Sequence, residues 1–476
     1  MKVADEAVRQ GAEGLVVQVA GGATAVNIML AVTPESFVPA DHPIRRIKPI
    51  VDAAAPLVAL SRLQPGARAG TGQRRAAARI AQQVWRCDMA TQFTSAEWDR
   101  INARLEADPE RYGLPQREYG SVLLGSFNIR KLGSSRSRSP DTWEFLANVC
   151  RSFDLLGVQE IMDDLSGLRR LMSLMGPEFG MVVSDQTGVF PGERGVGERL
   201  GFIYRWNTVE RMEVASDVTY DRSKVIDSIA SDYETFTTVM APYARGLASY
   251  RAGQRKTRPR LDLPVFLSFI RQPFCVAFRI PGHPGTTPYE IMAVNAHLYF
   301  GNYISDRRQE FNALADWLMS RLKTNSRAYY PNFMLFGDLN LDYDDPARDR
   351  RRIEDRIKSF NGELEGANVN FPFLDVHPGR DDIFRTNARL TETFDQIGLF
   401  NRDPRLPSYA ENATMGANPL GPDYGVFEFG DLFSEALLGR PYRELSSRER
   451  SALVPRFEHK VSDHLPLWIR LPLPTR

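Results

Sequence analysis

Residues 123–133 read LLGSFNIRKLG. The stretch opens as a buried strand, with Leu123, Leu124 and Phe127 apolar and small residues between them. Asn128 then falls between Phe127 and Ile129, and Arg130 and Lys131 follow at once. A buried polar group without a partner costs roughly 1–3 kcal/mol. Asn128 therefore needs a partner, supplied either by the fold or from outside the protein.

The same pattern recurs downstream. DLLGVQE (154–160) ends in Gln159 and Glu160, EIMAVNAHL (290–298) carries His297, and NFMLFGDLN (332–340) ends in Asp338 and Asn340. In KVSDHLPLWIRL (460–471), Asp463 and His464 open the last apolar run. Between these runs lie helical patterns, WEFLANVCRSF, LSGLRRLMSLM and RRQEFNALADWLMSRLK, and further strands, GMVVSD, RLGFIYR, FCVAFRI and FDQIGLF. Strand ends converge on one edge of a sheet, where mixed α/β proteins build sites on a rigid scaffold. Any one of these polar residues has a plain explanation as a cap, a surface acid or an Asx turn. The set together specifies a site.

Its chemistry is coherent. Carboxylates and amides without cysteine ligands suit a hard cation such as Mg²⁺ or Mn²⁺. Two histidines supply an acid and a base near neutral pH, each needing a carboxylate behind it. Those are the parts that cleavage of a phosphate ester requires.

Composition narrows the rest. The 476-residue chain is 43% hydrophobic and 25% charged, ordinary for a globular protein, with a formal net charge of +1. Any nucleic-acid surface must therefore be a local basic patch. The three cysteines, Cys87, Cys150 and Cys275, show no CxxC spacing. So sparse and odd a count fits a reducing, cytoplasmic compartment better than a disulfide framework. Cys150 and Cys275 lie in apolar runs and read as small core residues. The one membrane or export candidate, residues 14–32, is interrupted by Gln18, Asn27 and a glycine pair and lacks a positive flank.

Residues 1–88 are rich in Ala, Gly and Arg and read as a poorly ordered extension that need not be native to the domain. Within it, 35–57 resembles the first helix of some insertion-sequence transposases, and nothing else of a transposase follows. Residues 89–119 form an N-terminal helix and linker. Thr94 and Glu97 make a capping box, and Trp98, Ile101 and Leu105 share one face. Residues 120–476 carry the remaining pattern. They include an insertion at 207–270 whose basic run SYRAGQRKTRPR (249–260) is either a solvated loop or a substrate-gripping element.

FNIRKLG, LLGVQE, GERLGFIYR, RQP, NAHL, GDLN, FDQI and SDHLP occur in this order. The series resembles the endonuclease/exonuclease/phosphatase superfamily over about residues 120–474, with VVSDQTG and RQP closest to the deoxyribonuclease I-like branch. The resemblance implies an α+β fold, a four-layer α/β-sandwich of two packed mixed β-sheets flanked by helices. It implies Glu160 as the principal metal ligand, with Asn128 and Asp463 at the metal. It pairs Glu198 with His297 and Asp395 with His464, and it sets Asp338 and Asn340 to ready water and hold phosphate. Arg271 then resembles a phosphate clamp and Arg130 a backbone contact. The implied activity is metal-dependent hydrolysis of nucleic acid, DNA first, with no membrane and no obligate protein partner. A phosphodiesterase or phosphatase acting on a phospholipid or small molecule is the alternative, since one such site serves both. Met162 stands where the deoxyribonucleases place a DNA-reaching arginine, and the tryptophan typical of abasic-site enzymes before the first asparagine is here Phe127.

Overall fold

A computed structural model describes residues 15–18, 27–30, 92–188, 197–218, 222–261, 266–299, 304–323, 330–341, 346–363 and 366–475. The chain divides into two units, Met1–Ala90 and Thr91–Arg476. In the first, β1 (Leu15–Gln18) pairs antiparallel with β2 (Asn27–Leu30). These strands fall inside the apolar segment 14–32. The transposase-like stretch and Cys87 lie outside the described residues. No helix among the described residues is long and apolar enough to cross a membrane.

The second unit holds two six-stranded sheets. Their strands are β3 (Ser121–Leu132), β4 (Leu155–Met162), β5 (Phe179–Val183), β6 (Glu198–Arg205), β7 (Glu210–Asp217) and β8 (Phe274–Ile280). They continue with β9 (Tyr289–His297), β10 (Asn332–Asp338), β11 (Asn368–Asn370), β12 (Asp395–Asn401), β13 (Asp423–Val426) and β14 (Leu467–Pro472). One sheet runs β13-β14-β3-β4-β6-β5 and the other β11-β12-β10-β9-β8-β7. Each contains one parallel pair, β3 with β4 and β9 with β10, among antiparallel neighbours. Both sheets are therefore mixed, as the motif resemblance implies.

The sheets pack face to face. Phe202 on β6 meets Phe336 on β10 edge-on at 5.9 Å between ring centroids. Gly157 on β4 makes room for this, because a Cβ there would lie 3.0 Å from Cβ of Phe336. On the outer face of the second sheet, α6 (Ile304–Lys323) and α7 (Pro346–Glu363) cover Phe333 and Leu335 with Trp317, Leu318, Ile353 and Ile357. Four further helices, α1 (Ser95–Ala107), α2 (Pro140–Cys150), α8 (Phe429–Leu438) and α9 (Ser447–Lys460), share an aromatic cluster. There Trp98, Phe145, Phe433 and Phe457 pack ring on ring. The capping box of α1 forms as Thr94 and Glu97 predict, and Trp98, Ile101 and Leu105 are all buried. The remaining α-helices among the described residues are α3 (Ser166–Met175), α4 (Arg222–Ser231) and α5 (Tyr233–Arg251). Cys150 and Cys275 are buried and free, and burial pushes the Cys150 thiol up to about 12.

Two boundaries differ from the sequence reading. Residues 210–217, placed in the insertion, form β7 and extend the second sheet antiparallel to β8. The inserted part is the helical pair α4 and α5. The last strand begins at Leu467, not at Asp463. Pro466 brings no N–H to a ladder, and Ser462 Oγ accepts the His464 N–H at 3.2 Å, so 462–466 turn to hold the site instead.

Candidate active site

Strand register assembles the site before any side chain is considered. Asp338, the last residue of β10, pairs with His297 on β9 and with Asp395 on β12. Three of the polar strand-end residues thus stand in one row across the second sheet. On the first sheet, Asn128 pairs with Gln159, and both β3–β4 and β4–β6 shift register just beyond that point. The shift carries positive φ angles at Lys131 (46°) and Glu160 (57°). A left-handed conformation costs a residue with a Cβ roughly 1–2 kcal/mol, and at functional sites such strain is held by its surroundings. Here the Lys131 N–H donates to Glu160 Oε2 at 2.9 Å, fixing the carboxylate over the bulge. Gly337 allows the close approach that puts Asp338 in place: its φ is 138°, and a Cβ would fall 1.8 Å from the Ala296 carbonyl oxygen.

The side chains then close across the two sheets. Asn128, fully buried on β3, donates from Nδ2 to Glu160 Oε1 and to Asp338 Oδ2, each at 3.3 Å. Asp338 Oδ2 also lies 3.5 Å from His297 Nε2 and 3.6 Å from His464 Nε2. Each histidine has its own acid behind it. His297 Nδ1 stands 2.8 Å from Glu198 Oε2, and His464 Nδ1 stands 2.8 Å from Asp395 Oδ2. Asn340, with φ 51°, donates its backbone N–H to Asp338 Oδ1 and its Nδ2 to the Leu298 carbonyl.

Burial alone would raise Glu198, but His297 and Arg271 outweigh it and hold the carboxyl below its ordinary range. Burial pushes Asp395 up to about 6, against the pull of His464. Desolvation would lower His464, yet Asp395 and Asp338 together raise it to about 10. Burial also raises Asp463.

The residues read from the sequence all reach this place, though not all in the implied posture. Arg271 is committed to Glu198, with Nε 2.9 Å from Oε2 and Nη2 3.2 Å from Oε1, and its Nη1 donates to the His297 and Leu298 carbonyls. Arg130 pairs with Asp463 at 3.2 Å and donates to the Glu458 carbonyl. Both arginines still line an open cleft of about 730 Å³, together with Glu160, His297, Asp338 and His464. Its far wall comes from α9 and from Arg389, whose guanidinium grips Glu458 through two hydrogen bonds at 2.6 and 2.9 Å.

The donors fit a hard cation at the Glu160 corner. Asn128 Oδ1 and Asp463 Oδ1 are buried oxygens without a hydrogen-bond partner among the described residues, and the Glu160 carboxylate borders the same cleft. All are oxygen donors, as Mg²⁺ and Mn²⁺ prefer. A second cluster, Asp338, Asp395 and His464, also brings ligand-type atoms within 4.8 Å of one another. There, however, His464 Nδ1 is already engaged by Asp395.

Three positioning residues escaped the sequence reading. Ser462 Oγ donates to the Asn128 carbonyl at 2.7 Å and accepts the Arg130 and His464 N–H groups, tying the last site loop to β3. Arg138, over the face of Trp143, donates to the carbonyls of Arg130, Lys460 and Val461. Burial lowers its guanidinium to about 10. Glu310, buried on α6, accepts the Ile270 and Tyr299 N–H groups at 2.7 Å each. It thereby fixes the residues flanking Arg271 and the turn after His297. Burial pushes Glu310 up to about 7. An acid at an inward position of an amphipathic helix, one turn before Leu314, was the available signal.

The architecture is a sandwich of two mixed six-stranded sheets flanked by helices, the arrangement that the motif resemblance implies. No family model matches the chain. A deoxyribonuclease from Thioalkalivibrio sp. (strain K90mix) is 24% identical over 235 residues, 48% of this chain and 48% of that protein. The chain thus spans about half the length of this curated relative. Similar solved structures include a humanized D. rerio TDP2, 14% identical over 75% of this chain and 100% of that one, with a TM-score of 0.39. An endonuclease/exonuclease/phosphatase family protein from Bacteroides thetaiotaomicron is 13% identical over 74% of this chain and 94% of that one, with a TM-score of 0.37. A mannosyl-6-phosphatase from the same organism is 13% identical over 75% and 100%, with a TM-score of 0.36.

Proposed function

We propose that this chain is a divalent-metal-dependent phosphodiester hydrolase acting on nucleic acid, first of all a DNA endonuclease. The observation that carries the reading is Asp338 Oδ2 set between two histidine Nε2 atoms at 3.5 and 3.6 Å, each histidine backed by a buried carboxylate. Two histidine–acid pairs around one carboxylate divide the labour of hydrolysis. One side takes a proton from the attacking water, and the other returns one to the leaving oxygen. Asp338 and Asn340 orient the water and the phosphate. Glu160, Asn128 and Asp463 would hold Mg²⁺ or Mn²⁺, which when bound neutralises charge developing on the phosphate. Arg271 locks the Glu198–His297 pair and presents positive charge to the cleft, and Arg130, paired with Asp463, presents positive charge at the other end. The deoxyribonuclease relative supports DNA as the substrate.

The test is a supercoiled plasmid incubated with the protein and Mg²⁺, with EDTA and His297→Ala as controls. Nicking that both controls abolish is the expected result. Turnover of a phospholipid headgroup or small phosphate ester, without cleavage of any DNA or RNA, would overturn it.

A further inference from the structure

The helical pair α4–α5 has no buried residue on either helix. A pair that contributes nothing to the core needs another reason to be there, and three observations supply one. First, residues 222–260 carry eight Lys or Arg against three acids, on a chain whose net charge is only +1. Second, Arg245, Arg251, Arg255, Lys256, Arg258 and Arg260 are all exposed, and no hydrogen bond or ion pair engages their side-chain charges among the described residues. Tyr250 is 40% exposed and lies directly beside Arg251.

The third observation is where the pair is rooted. The Val218 N–H donates to the Pro273 carbonyl at 2.7 Å, and Asp217 pairs with Phe274, which pairs in turn with Asn295. Asn295 is two residues before His297 on β9. On the return side, Phe269 is buried, Ile270 is held by Glu310, and Arg271 grips Glu198. Both roots of the insertion thus stand on the sheet that carries His297.

We propose that α4, α5 and the basic run after them form a substrate arm. It binds the phosphate backbone of a nucleic acid on the flank of the cleft, away from the scissile bond. The proposal rests on the nucleic-acid reading above and adds to it a binding surface separate from the chemistry. Unpaired guanidinium and ammonium groups release condensed counterions when they meet phosphates, and a tyrosine set among them offers a stacking face. The arm contributes affinity and placement, not bond cleavage.

The test uses the full chain with Arg255, Lys256, Arg258 and Arg260 all replaced by Ala. These side chains are exposed, so the thermal midpoint should not move. Three readouts are compared with the parent: anisotropy titration of a labelled duplex and of the matching single strand across a salt series, plasmid nicking, and hydrolysis of bis(p-nitrophenyl) phosphate. The slope of log affinity against log salt should shrink by roughly 0.9 for each duplex phosphate that the variant no longer neutralises, and duplex affinity should fall at least about tenfold. Plasmid kcat/KM should fall with it while turnover of the small diester stays unchanged. An unchanged salt slope and unchanged plasmid kcat/KM in the variant would refute the arm and leave the nuclease reading standing. A parent that neither binds nor cleaves nucleic acid refutes both, whatever it does to the small diester. Equal loss on plasmid and small diester also counts against the arm, because it places these cations in the chemistry.

Discussion

Asn128 on the first sheet donates to Asp338 on the second at 3.3 Å. The amide that looked misplaced in its strand is thus the link by which two sheets share one site. Its other partner, Glu160, is equally distant, and the Asn128 Oδ1 is buried without a hydrogen-bond partner among the described residues. Replacing Asn128 by Ala removes a donor to two carboxylates and a candidate ligand, but little packing volume. We expect kcat to fall on the order of a hundredfold while stability changes by no more than about 1–2 kcal/mol. Paired measurements of nicking rate and urea midpoint decide this. A large fall in the midpoint with modest loss of rate would make Asn128 a structural residue.

The two histidine–acid pairs predict matched losses. His297→Ala and His464→Ala should each lower kcat by about 10² to 10⁴. Asp395→Asn should approach the His464 loss, since the Asp395 carboxylate stands 2.8 Å from Nδ1 and fixes the ring. Double variants within one pair should cost little more than the worse single variant, because the pair works as a unit. Losses that multiply fully within a pair would mean that histidine and acid act separately.

Much of this was legible in the chain. Strand β8 coincides with the apolar run FCVAFRI, and the strand-end residues Asn128, Glu160, His297 and Asp338 come together at one place, where Asp395, named only by the motif resemblance, joins them. Strand β7 was not legible. Its residues ERMEVASD are mostly polar because it is an edge strand with alternate residues exposed. Helices α4 and α5 bury nothing, so they carry no apolar stripe to read. Ser462, Arg138 and Glu310 were missed for a different reason. They act on backbone N–H and C=O groups, which nearly every residue has, so their partners leave no motif.

Glu310 gives a pH prediction. Burial lifts its carboxyl from the ordinary value of 4.5 to about 7. The folded state therefore binds its proton more tightly than the unfolded chain. Stability from this group is fully present below pH 4.5 and is lost as pH rises through about 7. The loss amounts to a few kcal/mol, on the order of 3. Urea midpoints at pH 5 and pH 8 should show this decline in the parent. In Glu310→Gln the decline should shrink, on a lower baseline, because the amide cannot accept both backbone N–H groups. The variant should also lose kcat without a matching change in KM, since Arg271 and His297 sit on the segments that Glu310 holds. An identical pH slope in parent and variant would show that Glu310 does not titrate in this range.

Glu160 predicts how the metal corner responds. The carboxylate is pinned by the Lys131 N–H at one oxygen and by the Asn128 amide at the other, at a backbone φ of 57°. That strain is worth keeping only if the carboxylate must face the cleft. Removing the demand should relax the fold: Glu160→Gly frees the left-handed conformation and should stabilise the metal-free protein or leave it unchanged, within about 1 kcal/mol. The same substitution should abolish the rise in thermal midpoint that Mg²⁺ or Mn²⁺ produces in the parent, a ligand-linked gain that follows RT ln(1 + [L]/Kd). Thermal melts with and without metal, run in EDTA-stripped buffer, measure both effects without any turnover. A metal-induced shift that survives in Glu160→Gly would move the cation to the Asp338, Asp395 and His464 cluster, where ligand-type atoms also converge.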